Sequence, residues 1–191
     1  MKTILYSLII LFSINTFSQE SHRRWRKMNQ VRNDKFDLVL PEAMRENNID
    51  MWIVTNREGN FDPLYTDMGE GYVGSTGYYI FTDKGGDRIE RAVLGIGGYL
   101  LEGSGAFDYF GSQTELKAFV EARNPKRIGL NISKNYGGAD GLTHSSYLEL
   151  SEILGKKYEN RFVSAEKLVS DFRSRRVASE IAIYGEAGEL S

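Results

Sequence analysis

Six polar side chains in two loops are the residues of this sequence best suited to chemistry. Asn56, Arg57, Asp62 and Tyr65 follow the continuous apolar run Met51 to Thr55, in a stretch where periodicity stops. Asp140 and His144 lie in a second link rich in small residues, between the alternating Ile128, Leu130, Ile132 and the apolar positions of a following helix. In open α/β sheets ligands bind outside the carboxyl ends of strands. Long irregular loops are also uncommon in compact domains unless they serve a function. These six residues are therefore candidates for controlling access to a ligand or for an interface.

Each simple catalytic scheme fails on residue count or context. The chain has no cysteine, which excludes disulfides, thiolate nucleophiles and cysteine-based zinc sites. It has two histidines, His22 and His144. His22 lies in a basic segment. His144 sits near a helix start with Asp140 close by, but one imidazole and one carboxylate do not make a metal site. His144 is accordingly expected to be a hydrogen-bonded structural residue. No serine carries the glycines of a nucleophile elbow. Gly69-Glu-Gly-Tyr-Val-Gly74 has the glycine spacing of a dinucleotide-binding turn, but an irregular loop precedes it and a strand follows. The phosphate site needs a strand before and a helix after. A two-metal nuclease of the ribonuclease H type would need acids gathered at strand ends. The run Met51 to Thr55 contains none, and Asp50 only borders it. Asn131-Ile-Ser133 matches a glycosylation acceptor formally but overlaps an expected strand.

The elements that must position these residues read as an α/β fold with a mixed sheet flanked by helices. Phe36 to Met44 gives a helix over about Arg32 to Asn47, with Pro41 either kinking it or marking its true start, and Asn47-Asn48 stopping it. Met51 to Thr55 is apolar without alternation, as in a strand covered on both faces. Thr76 to Thr82 and Ile89 to Ile96 are strands joined by the turn Asp83-Lys-Gly-Gly86, hence antiparallel. Gly95 to Gly111 shows no pattern. Ser112 or Thr114 caps a helix with core residues Leu116, Phe119 and Val120. Asn124-Pro125 opens the turn into the strand Ile128 to Ile132. Leu142 to Leu154 is an amphipathic helix ended by Gly155, Arg161 to Ser164 a short strand, and Ser164 to about Phe172 another helix. Arg173 to Val177 is basic and polar. Ser179 onward resumes helical spacing, with Ile181, Tyr184, Ala187 and Leu190 as an apolar stripe that needs a partner surface.

Composition bounds the partners. The 191 residues are 41% hydrophobic and 26% charged, with net charge -2. That is ordinary globular composition and gives no bulk electrostatic case for nucleic acid or an anionic membrane surface. Met1-Lys2, the apolar Ile4 to Ile14 and the small residues around Thr16 to Ser18 have the layout of a secretory signal peptide over residues 1–18. The apolar run is shorter than the about 20 residues that span a bilayer. The mature chain is thus expected to be secreted or periplasmic, with no membrane attachment after cleavage. Residues 19–31 follow as a basic lead-in carrying His22, Arg23, Arg24, Arg26 and Lys27, read as a solvated approach to the first helix.

Several stretches, in order, resemble one family. Asn124-Pro-Lys-Arg-Ile-Gly-Leu-Asn-Ile-Ser133, Ala139-Asp-Gly-Leu-Thr-His144 and Arg161-Phe-Val-Ser-Ala-Glu-Lys-Leu168 resemble the amino-terminal domain of Xaa-Pro peptidases, the creatinase, prolidase and aminopeptidase P family. Ile49-Asp-Met-Trp-Ile-Val54 and Arg57-Glu-Gly-Asn-Phe-Asp-Pro63 resemble the same domain's first strand and following loop. The resemblance runs from about Arg32 to the end. It implies a ribonuclease H-like motif without nuclease activity over residues 32–173, which shapes access to an active site and contributes dimer contacts. It places catalysis in a separate pita-bread domain that holds two divalent metal ions, such as manganese, through two Asp, one His and two Glu and cleaves bonds preceding proline. None of those ligands maps onto this chain, so no catalytic or metal residue is assigned here. Residues 174–178 would be a linker, and residues 179–191 the first helix of the catalytic domain. The family usually has Thr-Pro just before that helix, where this chain has Val177-Ala178. The implied partners are a homodimer or a full-length relative, with proline-containing peptides as substrates of the complete enzyme. The alternatives are a stand-alone extracytoplasmic module binding a small ligand or peptide, and a regulatory partner of a full-length relative.

Overall fold

The computed structural model describes the backbone of residues 2–189; the side chains of residues 2–18, 187 and 189 lie outside that description. The leader expected over residues 1–18 falls outside the described side chains. In chain order the elements are α1 (Lys2–Leu38), α2 (Leu40–Glu46), β1 (Met51–Arg57), α3 (Tyr65–Met68), β2 (Tyr72–Thr82), β3 (Glu90–Gly97), α4 (Tyr99–Glu102) and β4 (Tyr109–Gly111). There follow α5 (Leu116–Arg123), β5 (Ile128–Leu130), α6 (His144–Leu154), α7 (Lys156–Glu159), β6 (Phe162–Ser164), α8 (Glu166–Ser174) and α9 (Ala178–Glu189).

The six strands form one mixed sheet in the order β4-β3-β2-β1-β5-β6. β2 runs antiparallel to β1 and β3, and the remaining pairs are parallel. Five strands therefore point the same way, and the loops after β1, β3 and β5 open on one edge of the sheet. β1 is central, and its unbroken apolar run serves two cores, as expected for a strand covered on both faces. Trp52 and Val54 face Phe36, Leu40, Met44, Leu168 and Phe172 of α1, α2 and α8. Met51 and Ile53 face Leu116, Val120, Leu150, Leu154 and Tyr158 of α5, α6 and α7. Phe36, Trp52, Phe81 and Phe172 meet ring to ring, with centroids 5.0 to 6.0 Å apart.

The expected helix over Arg32 to Asn47 is two helices. Pro41 falls in the first turn of α2 and is buried. It has no N–H to continue the ladder of α1, so the chain turns at Val39 and restarts. The stop signals act as read: Asn48 and Asn124 both adopt positive φ, the left-handed conformation that ends helices. Residues 19–31 are not a free arm. They continue α1, with Arg23 and Arg24 paired to Glu20 at 2.8 Å and Asn29 Nδ2 donating to the Ser104 carbonyl at 2.7 Å.

The unpatterned stretch Gly95 to Gly111 contains α4 and β4. β4 is three residues long, too short to show a period. Its parallel pairing with Ala92 to Leu94 makes it an edge strand. The turn after it carries a full capping box, with the Ser112 hydroxyl accepting from the Thr114 amide at 3.3 Å and the Glu115 carboxylate from the Ser112 amide at 2.8 Å. Ser112→Ala should lower stability by about 1 kcal/mol in urea unfolding.

α9 docks on α1, but not through its expected stripe. Ile183 packs against the core, while Ile181 and Tyr184 are exposed. The remaining contacts are polar: Ser179 Oγ to Asp34 at 2.5 Å, Lys35 to Glu180 at 3.4 Å, and a Lys27–Glu186 pair. The stripe's other members, Ala187 and Leu190, lie outside the described side chains.

Candidate functional site

The sheet's connectivity reverses between β1 and β5: the chain winds outward through β2, β3 and β4, then returns to β1's other side. Outside the carboxyl ends of β1 and β5 lies the crevice where open α/β sheets hold ligands. Two of the six candidate residues, Asn56 and Asp62, meet there, and they close it.

Asn56 ends the buried part of β1 on the same face as Trp52, because side chains two and four apart share a face. Its Oδ1 accepts from the Asp62 amide at 3.0 Å, which turns the following loop back over the strand end. The Asp62 carboxylate is thereby driven inward and is 3% exposed. One oxygen accepts from the Leu64 amide at 2.9 Å, and the other from Asn131 Nδ2 at 2.9 Å. Asn131, the residue after β5, accepts at Oδ1 from Trp52 Nε1 at 2.8 Å. The chain of bonds has one workable direction. An indole N–H only donates, so Asn131 must turn its oxygen to Trp52 and its amide to Asp62. Asp62 must then accept. One buried tryptophan thus sets the hydrogen-bonding role of a carboxyl two residues away in the network.

The backbone of Gly141 seals the far side. A Cβ there would lie 1.9 Å from Asp62 Oδ2 and 2.7 Å from Pro63 Cδ. The loop after β1 and the loop after β5 are therefore stapled to each other, and the crevice is filled by the chain's own carboxylate.

Burial pushes the Asp62 pKa above its ordinary 3.8, against the lowering effect of its two hydrogen bonds. The sign follows from linkage. The stability tied to this group is fully present below the unfolded value and is lost as pH rises through the raised folded value. Asp62→Asn removes that titration and, whichever way the amide turns, sets its N–H₂ against one of two donors, the Leu64 amide or Asn131 Nδ2. The variant should be less stable by about 1–3 kcal/mol. The difference between parent and variant should be largest near pH 4 and narrow as pH rises. Urea unfolding of both proteins across pH 4 to 8 measures this; a difference that widens with pH would contradict the account.

The other four candidates do not join the network. Tyr65 stacks on Phe61 with centroids 4.3 Å apart, and its hydroxyl accepts from the Gly71 amide at 2.9 Å, holding the approach to β2. Arg57 closes a tight turn through backbone bonds with Asn60 at 3.0 and 3.2 Å. Asp140 accepts from the Ser133 amide at 3.0 Å and folds its own loop. His144 is the first residue of α6, behind the Thr143 cap, and is exposed. It has no hydrogen-bond partner among the described residues, which corrects the expectation of a bonded structural histidine: Thr143 occupies the capping position, so the next side chain points outward.

Asn131 and Trp52 were not among the candidates, although a signal for them existed. A tryptophan in a fully covered strand needs an acceptor for its N–H, and the first polar residue at the end of a neighbouring strand is the natural one. Among the described residues no group of three or more His, Asp or Glu side chains could hold a metal ion. Comparison with protein-family models finds no match, and comparison with curated proteins finds none.

Proposed function

We propose that this chain is the amino-terminal, substrate-access and dimer-contact domain of a secreted or periplasmic Xaa-Pro peptidase-like protein, and does not catalyse by itself. The observation that carries the reading is the coincidence of two independent features. The sequence resemblance implies a mixed sheet with flanking helices, and the described residues form a six-stranded mixed sheet with helices on both faces. The stapled crevice adds support, since a supporting domain needs rigid loops at that edge rather than an open cleft. The exposed Ile181 on α9 offers an apolar side chain for a following domain. In this reading α9 belongs to the metal-binding domain, and the manganese-type ions and their ligands lie on residues outside this sequence. No helix among the described residues is long and apolar enough to cross a membrane.

The decisive experiment is to read the coding frame past Ser191. A continued frame with two Asp, one His and two Glu at family spacing is the expected result; a stop codon would overturn the reading. A hydrolysis assay on a proline dipeptide with added manganese complements it. No turnover is expected from these 191 residues, and clear metal-dependent turnover would sink the claim that they are not catalytic.

A further inference from the structure

A second cleft lies away from the sheet edge. It lies between α1, the end of α8, α9 and the short α3, with a volume of about 660 Å³. Its polar wall holds four cations, Arg32, Lys35, Arg173 and Arg176, against two carboxylates, Asp67 and Glu180. Both carboxylates hold ion pairs, although Asp67 Oδ2 and Glu180 Oε2 have no hydrogen-bond partner among the described residues. Asp67 meets Arg173 at 3.0 Å, and Glu180 is shared by Lys35, at 3.4 Å, and Arg176.

Arg32 is the cation left without an anion. Each of its three nitrogens donates to a neutral acceptor: the Asp67 carbonyl at 3.0 Å, the Thr66 carbonyl at 3.3 Å and Asn29 Oδ1 at 2.9 Å. It forms no ion pair among the described residues. Burial lowers its pKa, the mark of a charge held in a medium that disfavours it. Lys35, in the same wall, is 8% exposed and donates mainly to the carbonyls of Phe172 and Arg173 at 3.1 and 3.4 Å. Val31, Phe172 and Tyr184 line the same cleft, with Lys35 Nζ 5.4 Å from the Phe172 ring centroid and the Arg176 guanidinium 5.3 Å from that of Tyr184, whose ring is exposed. Two more cations than carboxylates, beside the exposed ring of Tyr184, match a ligand with an anionic head and an apolar body.

We propose that this cleft binds an organic carboxylate, its carboxylate beside Arg32 and Arg176 and its apolar body along Phe172 and Tyr184. A peptide carboxy-terminus is one form of that chemistry. The proposal is independent of the peptidase reading, because it uses no active site and no metal.

The test is calorimetric titration of the purified chain with three probes: N-acetylphenylalanine, its neutral amide and inorganic phosphate. The acid should bind at least about tenfold more tightly than either of the others. Arg32→Gln should weaken the acid by about tenfold and leave the amide unchanged. Arg32 also ties α1 to α3, so Arg176→Gln, on an exposed side chain, serves as the second variant and should weaken the acid in the same direction. Three results would each overturn the proposal: no binding of the acid, equal binding of acid and amide, or phosphate binding as well as the acid. So would a folded Arg176→Gln protein that binds the acid as tightly as the parent.

Discussion

Gly141→Ala should be among the most damaging single substitutions in the chain, lowering stability by about 3–5 kcal/mol. The added methyl would sit 1.9 Å from Asp62 Oδ2 and 2.5 Å from Asp62 Cγ, a contact that real Cβ atoms essentially never show. Asp62 has nowhere to retreat, because both its oxygens are bonded, to Leu64 and Asn131. Accommodating the methyl means breaking the Asp62–Asn131 bond or lifting the loop off β1. Gly137→Ala, four residues earlier, is the control, since nothing lies within 4 Å of a Cβ built there. Urea unfolding of the two variants should separate them clearly. A double variant with Asp62→Ala should recover part of the loss, because the methyl then has room. Strict additivity of the two substitutions would show that the clash is not with Asp62.

The second large effect is expected at Asp37. Arg91 on β3 points into the core between sheet and α1 and is 1% exposed. Its Nη2 pairs with Asp37, its guanidinium lies 5.2 Å from the Phe36 ring centroid, and its Nε finds no hydrogen-bond partner among the described residues. Burial lowers the Arg91 pKa while the Asp37 pair raises it. Removing one member of such a pair leaves the other charge buried and uncompensated, which costs about 3–5 kcal/mol. Asp37 is itself half exposed, so Asp37→Ala should fall at the lower end, about 3 kcal/mol. Arg91→Met removes the charge and keeps the volume, and should cost less than Asp37→Ala. The order is the test: if thermal and urea unfolding rank Arg91→Met as the more damaging, the pair is contributing net stability rather than neutralising a buried charge.

These two sites differ in how far the sequence announces them. Arg91 stands inside the apolar run Ile89 to Ile96, and a charge in a covered strand demands a partner wherever the chain can supply one. Which acid answers is a matter of tertiary placement, since Asp37 lies 54 positions away. Gly141 announces nothing. It is one of three glycines in the link from Gly137 to Gly141, and only the inward turn of Asp62 distinguishes it from the two that tolerate space differently. The candidate residues divide the same way. Asn56 and Asp62 stand out because they follow a buried strand. Asn131 and Trp52 look like ordinary strand residues until β1 and β5 are laid side by side.

The signals legible along the chain are local ones. The unbroken apolar run of β1 meant two covered faces, Asp83 to Gly86 meant a hairpin, and Asn48, Asn124 and Gly155 ended helices where backbone sterics favour them. Those signals settle the α/β class and most of the elements, because hydrophobic period and backbone conformation depend on neighbours a few residues apart. The restart of the helix at Pro41 was signalled by the proline itself, whereas distant contacts decided the edge strand β4, the docking of α9 through Ile183 rather than through Ile181 and Tyr184, and the closing of the crevice by Asp62. Each of these depends on which distant surface reaches a residue first, and a hydrogen bond or a buried methyl responds to that distance rather than to sequence spacing.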